Sequence, residues 1–375
     1  MESMDKYWLW MVNLKGLGNK LCNKLLGEFG SPWQVYNASE SDFKKIEGIG
    51  SALAHTIAAN RCLDKAERLL ESLAMSNIKL LTIKDSLYPL EVKSLPNAPV
   101  LLYYKGQIRP QSLGVAIVGA RRCTEYGKKV TQEAAAFLAK QDIPVISGMA
   151  KGIDGYAHTA CLKEGGYTLA FLGNGVDICY PKEHQGLMEA IIEKGAVVSQ
   201  YPPGTPARRA NFPMRNYLIS AWAHKILVVE ASLYSGSLIT AQWGMENNRT
   251  VLAVPSGIYH SEGKGTNRLI KNGAQIYIEP YQLALDLLDI VEFTEPNDKL
   301  RPKHMTFKTH LENSADEIGN SLIEEQILEF LGNMTLNEDQ LAQPFQRNLS
   351  DFLEALSILE LKGKIRRRPG GKISR

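Results

Sequence analysis

Short, uninterrupted apolar runs alternate along this chain with longer amphipathic ones. Val115–Val118 and Ile143–Ile146 are apolar and rich in β-branched residues. They are too short for helices, so they predict strands buried on both faces of a parallel sheet. Between them, KKVTQEAAAFLAKQ keeps helical spacing. The alternation continues with a helix over 153–164, a strand Thr168–Leu172, a helix over 183–194 and a strand Ala196–Ser199. After a long turn, Tyr201–Arg215, it resumes with a helix around Asn216–Ala223 and a strand Ile226–Glu230. Ser235-Gly236-Ser237 opens a further helix and Val251–Val254 forms a further strand, while the run Pro99–Tyr104 feeds one more strand into the same sheet. Repeated β-loop-α units predict a central Rossmann-like, doubly wound, mainly parallel sheet with helices on both faces.

The flanks have other rhythms. Residues 1–65 read as a helical domain with two similar turns, Gly16-Leu17-Gly18 and Gly48-Ile49-Gly50, each followed by a helical pattern. That is the outline of a helix-hairpin-helix repeat. Such turns either present backbone N–H groups to a DNA phosphate or simply join packed helices. The α/β domain is assigned to 66–291, and the aperiodic polar stretch 292–318 to a linker. Residues 319–375 predict three helices, near 323–331, 336–345 and 349–361, and a basic hairpin over 364–372. Three helices and a hairpin sketch a winged helix, whose arginines suit either DNA or a solvated strand edge.

Composition narrows the classes. With 375 residues, 44% hydrophobic and 22% charged, the chain is an ordinary globular one, and a net charge of +3 leaves a nucleic-acid partner to be argued from local charge. Five scattered cysteines without a C-x-x-C pair suit a reducing cytoplasm and neither a zinc site nor a disulfide framework. The apolar stretch Trp8–Val12 is too short to span a bilayer and is followed by no cleavage-like site, so the expectation is cytoplasmic, with no membrane partner.

Several chemistries lack their signatures. No G-x-G-x-x-G follows the first strand of the alternation, no Gly-Lys-Ser/Thr closes a Walker loop, and no H-E-x-x-H helix occurs. No cofactor or metal is therefore expected. His158 predicts packing, Asp154 and Asp177 predict capping or loop bracing, and Glu230 predicts a brace for an arginine or a backbone N–H. Phe212 is read as a core anchor behind Pro213. What the strand ends do offer is donors among glycines. Arg121, Lys151, Arg215, Asn216, Ser235, Ser237, Thr240, Asn267 and Lys271 fall at or just beyond the sheet ends, beside Gly148, Gly152, Gly236, Gly265 and Gly273. Spread over several loops, they suit an extended polyanion such as single-stranded nucleic acid, with Phe212 or Tyr217 as aromatic surfaces.

These residues resemble the bacterial DNA-processing protein A family (DprA, also called Smf). The matching segments are VAIVGARRCTEYG, ISGMAKGIDGYAHTACL, LAFLGNGVDICYP, SQYPPGTPARRANFPMRNYLIS, ILVVEASLYSGSLITAQWGMENNRTVLAVP and GTNRLIKNGA, which cover about 115–275 in family order. The flanks look like the family's SAM-like and winged-helix domains. One departure is Tyr217, where the family usually has a second basic residue after the FP-x-R-N core. The resemblance implies a DNA-binding accessory protein rather than an enzyme. It implies a dimer that binds single-stranded DNA, relieves the block by single-strand-binding protein and loads the RecA recombinase in natural transformation or recombination. Carried over, the phosphate-cradling positions are the Gly119-Ala120-Arg121 loop, the Gly148–Gly152 loop with Lys151 and the Ser235–Ser237 loop, with Arg215 and Asn216 beside them. The competing reading is a nucleotide phosphoribohydrolase, whose P-G-G-x-G-T loop is missing; the Pro369-Gly370-Gly371 run lies in the basic tail.

Overall fold

The computed structural model describes residues 4–110, 114–285 and 287, together with 327–332, 336–342, 344, 352, 355–356, 359–360, 364–368 and 372–374. The chain divides into two compact units, Met1–Glu295 and Pro296–Arg375. The linker expected over 292–318 lies outside the described residues.

The first unit begins with six helices: α1 (Asp5–Val12), α2 (Asn19–Phe29), α3 (Pro32–Asn37), α4 (Glu40–Phe43), α5 (Ser51–Ala59) and α6 (Asp64–Met75). Both Gly-x-Gly turns sit where the sequence places them, with Gly18 and Gly50 as the N-caps of α2 and α5. Their packing is reciprocal: Leu53, on the helix after the second turn, lies against Gly16, and Leu21, on the helix after the first, lies against Gly48. Helical structure runs to Met75, past the expected boundary at 65. Ala66 and Leu73 bury on α6 at helical spacing, and Lys6 of α1 donates to Glu67 at 3.1 Å.

The sheet follows. Its strands are β1 (Lys79–Thr82), β2 (Leu101–Gly106), β3 (Gly114–Val118), β4 (Val145–Ser147), β5 (Thr168–Phe171), β6 (Ala196–Ser199), β7 (Ala223–Val228), β8 (Thr250–Ala253) and β9 (Gln275–Ile276). They lie in the order β1-β2-β6-β5-β4-β3-β7-β8-β9. From β6 to β9 every pairing is parallel, while β1 and β2 add an antiparallel edge. The helices α7 (Leu90–Lys93), α8 (Glu125–Lys140), α9 (Ile153–Lys163), α10 (Gln185–Lys194), α11 (Phe212–Ala221), α12 (Ser237–Glu246) and α13 (Lys264–Lys271) connect them. β3, β4, β5 and β6 are buried throughout, which is why each reads as a continuous apolar run. Two elements shift from their expected positions. β4 begins two residues later than the apolar run, and α11 starts at Phe212 with Pro213 in its first turn, leaving Ala223 to β7.

Trp222 is buried at the end of α11, edge-on to Tyr88 at 5.1 Å and tilted on Phe171 at 5.2 Å. Behind β4 and β5, His158 of α9 is fully buried, and its Nδ1 lies 2.7 Å from the Thr168 hydroxyl. That hydroxyl donates to the Val145 carbonyl, so the imidazole must donate to Thr168.

In the second unit, β10 (Leu336–Asn337), β11 (Arg366–Arg368) and β12 (Lys372–Ser374) form an antiparallel sheet in the order β10-β12-β11. The expected helix over 336–345 is a strand at its start. Leu336 pairs with Ile373, and only then does α14 (Glu338–Ala342) begin. Ile327, Leu331, Leu341, Phe352, Leu356 and Ile373 share its core.

Burial lowers the His158 pKa from its ordinary 6.5 to about 3, with His184 and Arg215 adding repulsion. The unfolded chain therefore binds a proton that the native chain refuses. Stability is complete above about pH 6.5 and falls on acidification toward pH 3, by up to roughly 1.4 kcal/mol per pH unit from this group. Urea unfolding between pH 7 and 5 is expected to show a slope in the native chain that is reduced in His158→Gln. Equal slopes would contradict this assignment.

Candidate nucleic-acid interface

The carboxyl ends of β3, β4 and β5 frame a recess of about 60 Å³, lined by Arg121, Lys151, Asn174, Tyr180, Phe212 and Arg215 and by the backbone of Gly148 and Gly173. Drug-sized ligands and cofactors occupy roughly 300–1,000 Å³. A recess this small admits a single group of a larger ligand.

Its geometry rests on Arg215. The side chain enters from α11, 5% exposed, and Nη1 donates to the Gly148 carbonyl and, at 3.2 Å, to the Phe171 carbonyl. Nε donates to Asn216 Oδ1 at 3.0 Å. Asp154, 6% exposed, accepts the Gly148 N–H at 3.2 Å. The turn after β4 is thus held from both sides, by a guanidinium at its carbonyl and a carboxylate at its amide. A side chain at Gly148 would run into Arg215. Burial pushes the Arg215 pKa down and the Asp154 pKa up, and each charge opposes the shift of the other.

The next turn locks to the loop before it. Gly152 has φ 76°, and any side chain there would meet the carbonyls of Ala120 and Arg121. The Ile153 N–H donates to the Ala120 carbonyl at 3.2 Å. The Gly119-Ala120-Arg121 and Gly148–Gly152 loops therefore form one surface. On it the Arg121 guanidinium lies 5.6 Å from the Phe212 ring centroid, and the Lys151 ammonium pairs with Glu183 in solvent.

The other candidates divide. Asn216 donates from Nδ2 to the Gly236 carbonyl at 3.1 Å, tying α11 to the turn before α12. In that turn the Ser235 and Ser237 hydroxyls lie 2.8 Å apart. Four residues are not the free rim donors the sequence suggested. Arg215 is engaged internally. Thr240 is 1% exposed inside α12. Asn267 braces Ser256, accepting its N–H at 3.1 Å and donating to its carbonyl at 2.8 Å. Lys271 ends α13, which runs back from the β8 end to the start of the parallel strand β9, so it sits at the opposite edge of the sheet.

The aromatic expectations also change. Tyr217 is 2% exposed and packs edge-on against Trp243 at 5.2 Å, so it belongs to the core. Phe212 is no core anchor: half-buried, it faces Arg121, Arg215 and Tyr180 at the recess. Glu230 accepts the N–H of Thr124 at 2.9 Å and Asp177 that of Gly204 at 2.9 Å, both as braces. Sequence reasoning passed over Arg208 and Arg209, which stand exposed just before α11, as well as Asn174 and Tyr180. Paired arginines between a proline-rich turn and Phe212 were the available signal. Among the described residues, no group of His, Cys, Asp and Glu is arranged to hold a metal, and no helix is long and apolar enough to cross a membrane.

Fold and recess together define a doubly wound α/β protein with a cationic, phosphate-sized notch on its carboxyl rim. The chain belongs to a known family of such proteins, described as DNA recombination-mediator protein A, whose sequence profile matches residues 79–288; the DprA winged helix domain profile matches 313–371. It is 35% identical over 298 residues to Protein Smf of Synechocystis, covering 77% of this chain and 75% of that one. It is 38% identical over 196 residues to the DNA processing protein DprA of Streptococcus pneumoniae, covering 52% and 69% of the two chains. The X-ray structure of the Streptococcus pneumoniae protein superposes with a TM-score of 0.67 at 30% identity, over 75% of this chain and 97% of that one. A Helicobacter pylori DNA processing protein A, described for its single-stranded DNA binding mode, gives 0.51 at 27% identity, over 57% and 96%.

Removing one partner of a buried charge pair typically costs about 3–5 kcal/mol, because the other charge is left uncompensated. Arg215→Met is expected to lower urea stability by about that much while leaving Asp154 buried. A loss below about 1 kcal/mol would mean the turn after β4 is held by other means.

Proposed function

We propose that this protein binds single-stranded DNA through the carboxyl rim of its sheet, shields the strand, and loads the RecA recombinase onto it during transformation or recombination. The observation that carries the reading is the recess itself. It is too small for a nucleotide, open to solvent, cationic at Arg121 and Lys151, and bordered by the Phe212 ring. A phosphate enters between the two cations and the ring presents a face to a base, which is the combination that tracks a single strand without reading sequence. The Gly119-Ala120-Arg121 and Gly148–Gly152 loops form this surface, with the turn over 235–237 beside it. Family membership and the Helicobacter pylori relative support the reading.

Glu183 occupies Lys151 in the free protein as a phosphate would, and Lys151 holds its carboxyl below the ordinary carboxylate range. The pair is exposed and screened, so DNA displaces it readily. For assembly, β9 is an edge strand with Ile276 and Ile278 exposed nearby, a surface suited to a second copy. Two joined rims would hold one strand more firmly through effective concentration while the recombinase, freed from competition by single-strand-binding protein, nucleates in the cytoplasm.

Fluorescence anisotropy with a labelled oligothymidylate tests this. Arg121→Glu and Lys151→Glu are each expected to weaken binding at least about tenfold at low salt and to reduce the logarithmic salt slope by roughly 0.7 for every phosphate left without its cation. Glu183→Gln is expected to move affinity the other way. Wild-type affinity in both charge-reversed variants would overturn the rim assignment, and hydrolysis of free nucleotides without strand binding would favour the enzyme reading.

A further inference from the structure

A second cavity opens on the same rim, where the helical layer meets the sheet. It holds about 410 Å³, the size of a small-molecule site, at the kind of junction where such sites form. One wall is Asn13, Leu17 and the start of α2 at Gly18 and Asn19. The other is Tyr103 of β2, Gln200-Tyr201-Pro202 after β6, and Met214 of α11. No lysine, arginine, aspartate or glutamate lines it.

Its polar content is amides and phenols. Asn19 Nδ2 donates to Gln200 Oε1 at 3.3 Å across the junction. Tyr103 is 1% exposed, and its hydroxyl is buried beside the Asn13 amide. α2 starts at Gly18 with no side-chain cap, so further donors face the same space. Uncharged walls are poor for a phosphate. Amides and phenols that both donate and accept, set among Leu17, Leu101, Pro202 and Met214, suit a flat neutral group with a hydrogen-bonding edge.

Position identifies the group. The strands run β2-β6-β5-β4-β3, so the end of β6 lies two strands from the end of β4, about 10 Å at about 4.8 Å per strand. The first turn of α11 sends Phe212 into the anion recess and Met214 into this cavity. We infer that the cavity takes a nucleobase of the same single strand, one or two nucleotides from the phosphate held by Arg121 and Lys151. The inference rests on the single-strand reading above.

Photo-crosslinking of the full chain to oligothymidylates carrying one 5-iodouracil at successive positions, mapped by mass spectrometry, tests it. Crosslinks to Phe212 or Tyr180 from one position and to Tyr201 or Met214 from a position one or two nucleotides away are expected. Asn19→Ala and Gln200→Ala, which leave the anion recess intact, should weaken binding roughly fivefold or more. Neither should matter for a strand made abasic at the mapped position. Crosslinks at the recess with none at Tyr201 or Met214 would overturn the inference, as would equal losses on intact and abasic strands. Absence of all strand binding would instead remove the single-strand reading beneath it.

Discussion

The buried guanidinium of Arg215 is the constraint on which the rim depends. It reaches from α11 to the carbonyls at the ends of β4 and β5, and Asp154 holds the amide of the same glycine from the other side. Isolated, either charge would be strongly disfavoured in that interior; close enough to compensate each other and hydrogen-bonded to backbone, they fix a turn that has no regular structure of its own. Gly152 then docks that turn against the loop after β3, so the positions of Arg121 and Lys151 are set by backbone rather than by their own side chains.

This arrangement separates two uses of positive charge. Arg215 organises the site from within, whereas Arg121, Lys151, Arg208 and Arg209 stand in solvent where a polyanion can reach them. A hydrogen-bonded backbone frame with a few exposed cations suits a ligand whose charges repeat and whose sequence varies. In the proposed complex the phosphates would meet fixed loops and the long side chains would adapt. The uncharged cavity beside α2 lies on the same rim, and a strand placed across both as proposed would alternate between charge and shape.

The α/β alternation was legible because strands buried on both faces leave unbroken apolar runs. β1 and β9 were not. β1 is short and half-exposed, and β9 is a two-residue exposed edge, so neither leaves a periodic trace. The loops of the site were legible through their glycines, but the direction of each side chain was not. An arginine after a turn reads the same whether it faces water or the interior. For Arg215 the deciding partners, Gly148 and Asp154, lie some sixty residues upstream. Lys271 looked like a rim cation because it lies between Gly265 and Gly273, yet a helix joining parallel strands carries its last residue to the far edge. Phe212 sat beside a proline and read as core, until α11 began at that residue and left its ring at the mouth.

Hydrogen–deuterium exchange of the full chain, with and without an oligothymidylate, addresses the central claim most directly. Binding across the rim should slow exchange in 119–124, 148–152 and 172–180 and around 208–212, and leave 31–43 unchanged. Protection confined to the β9 edge or to the strands Arg366–Arg368 and Lys372–Ser374, with the rim loops exchanging as in the free protein, would contradict it.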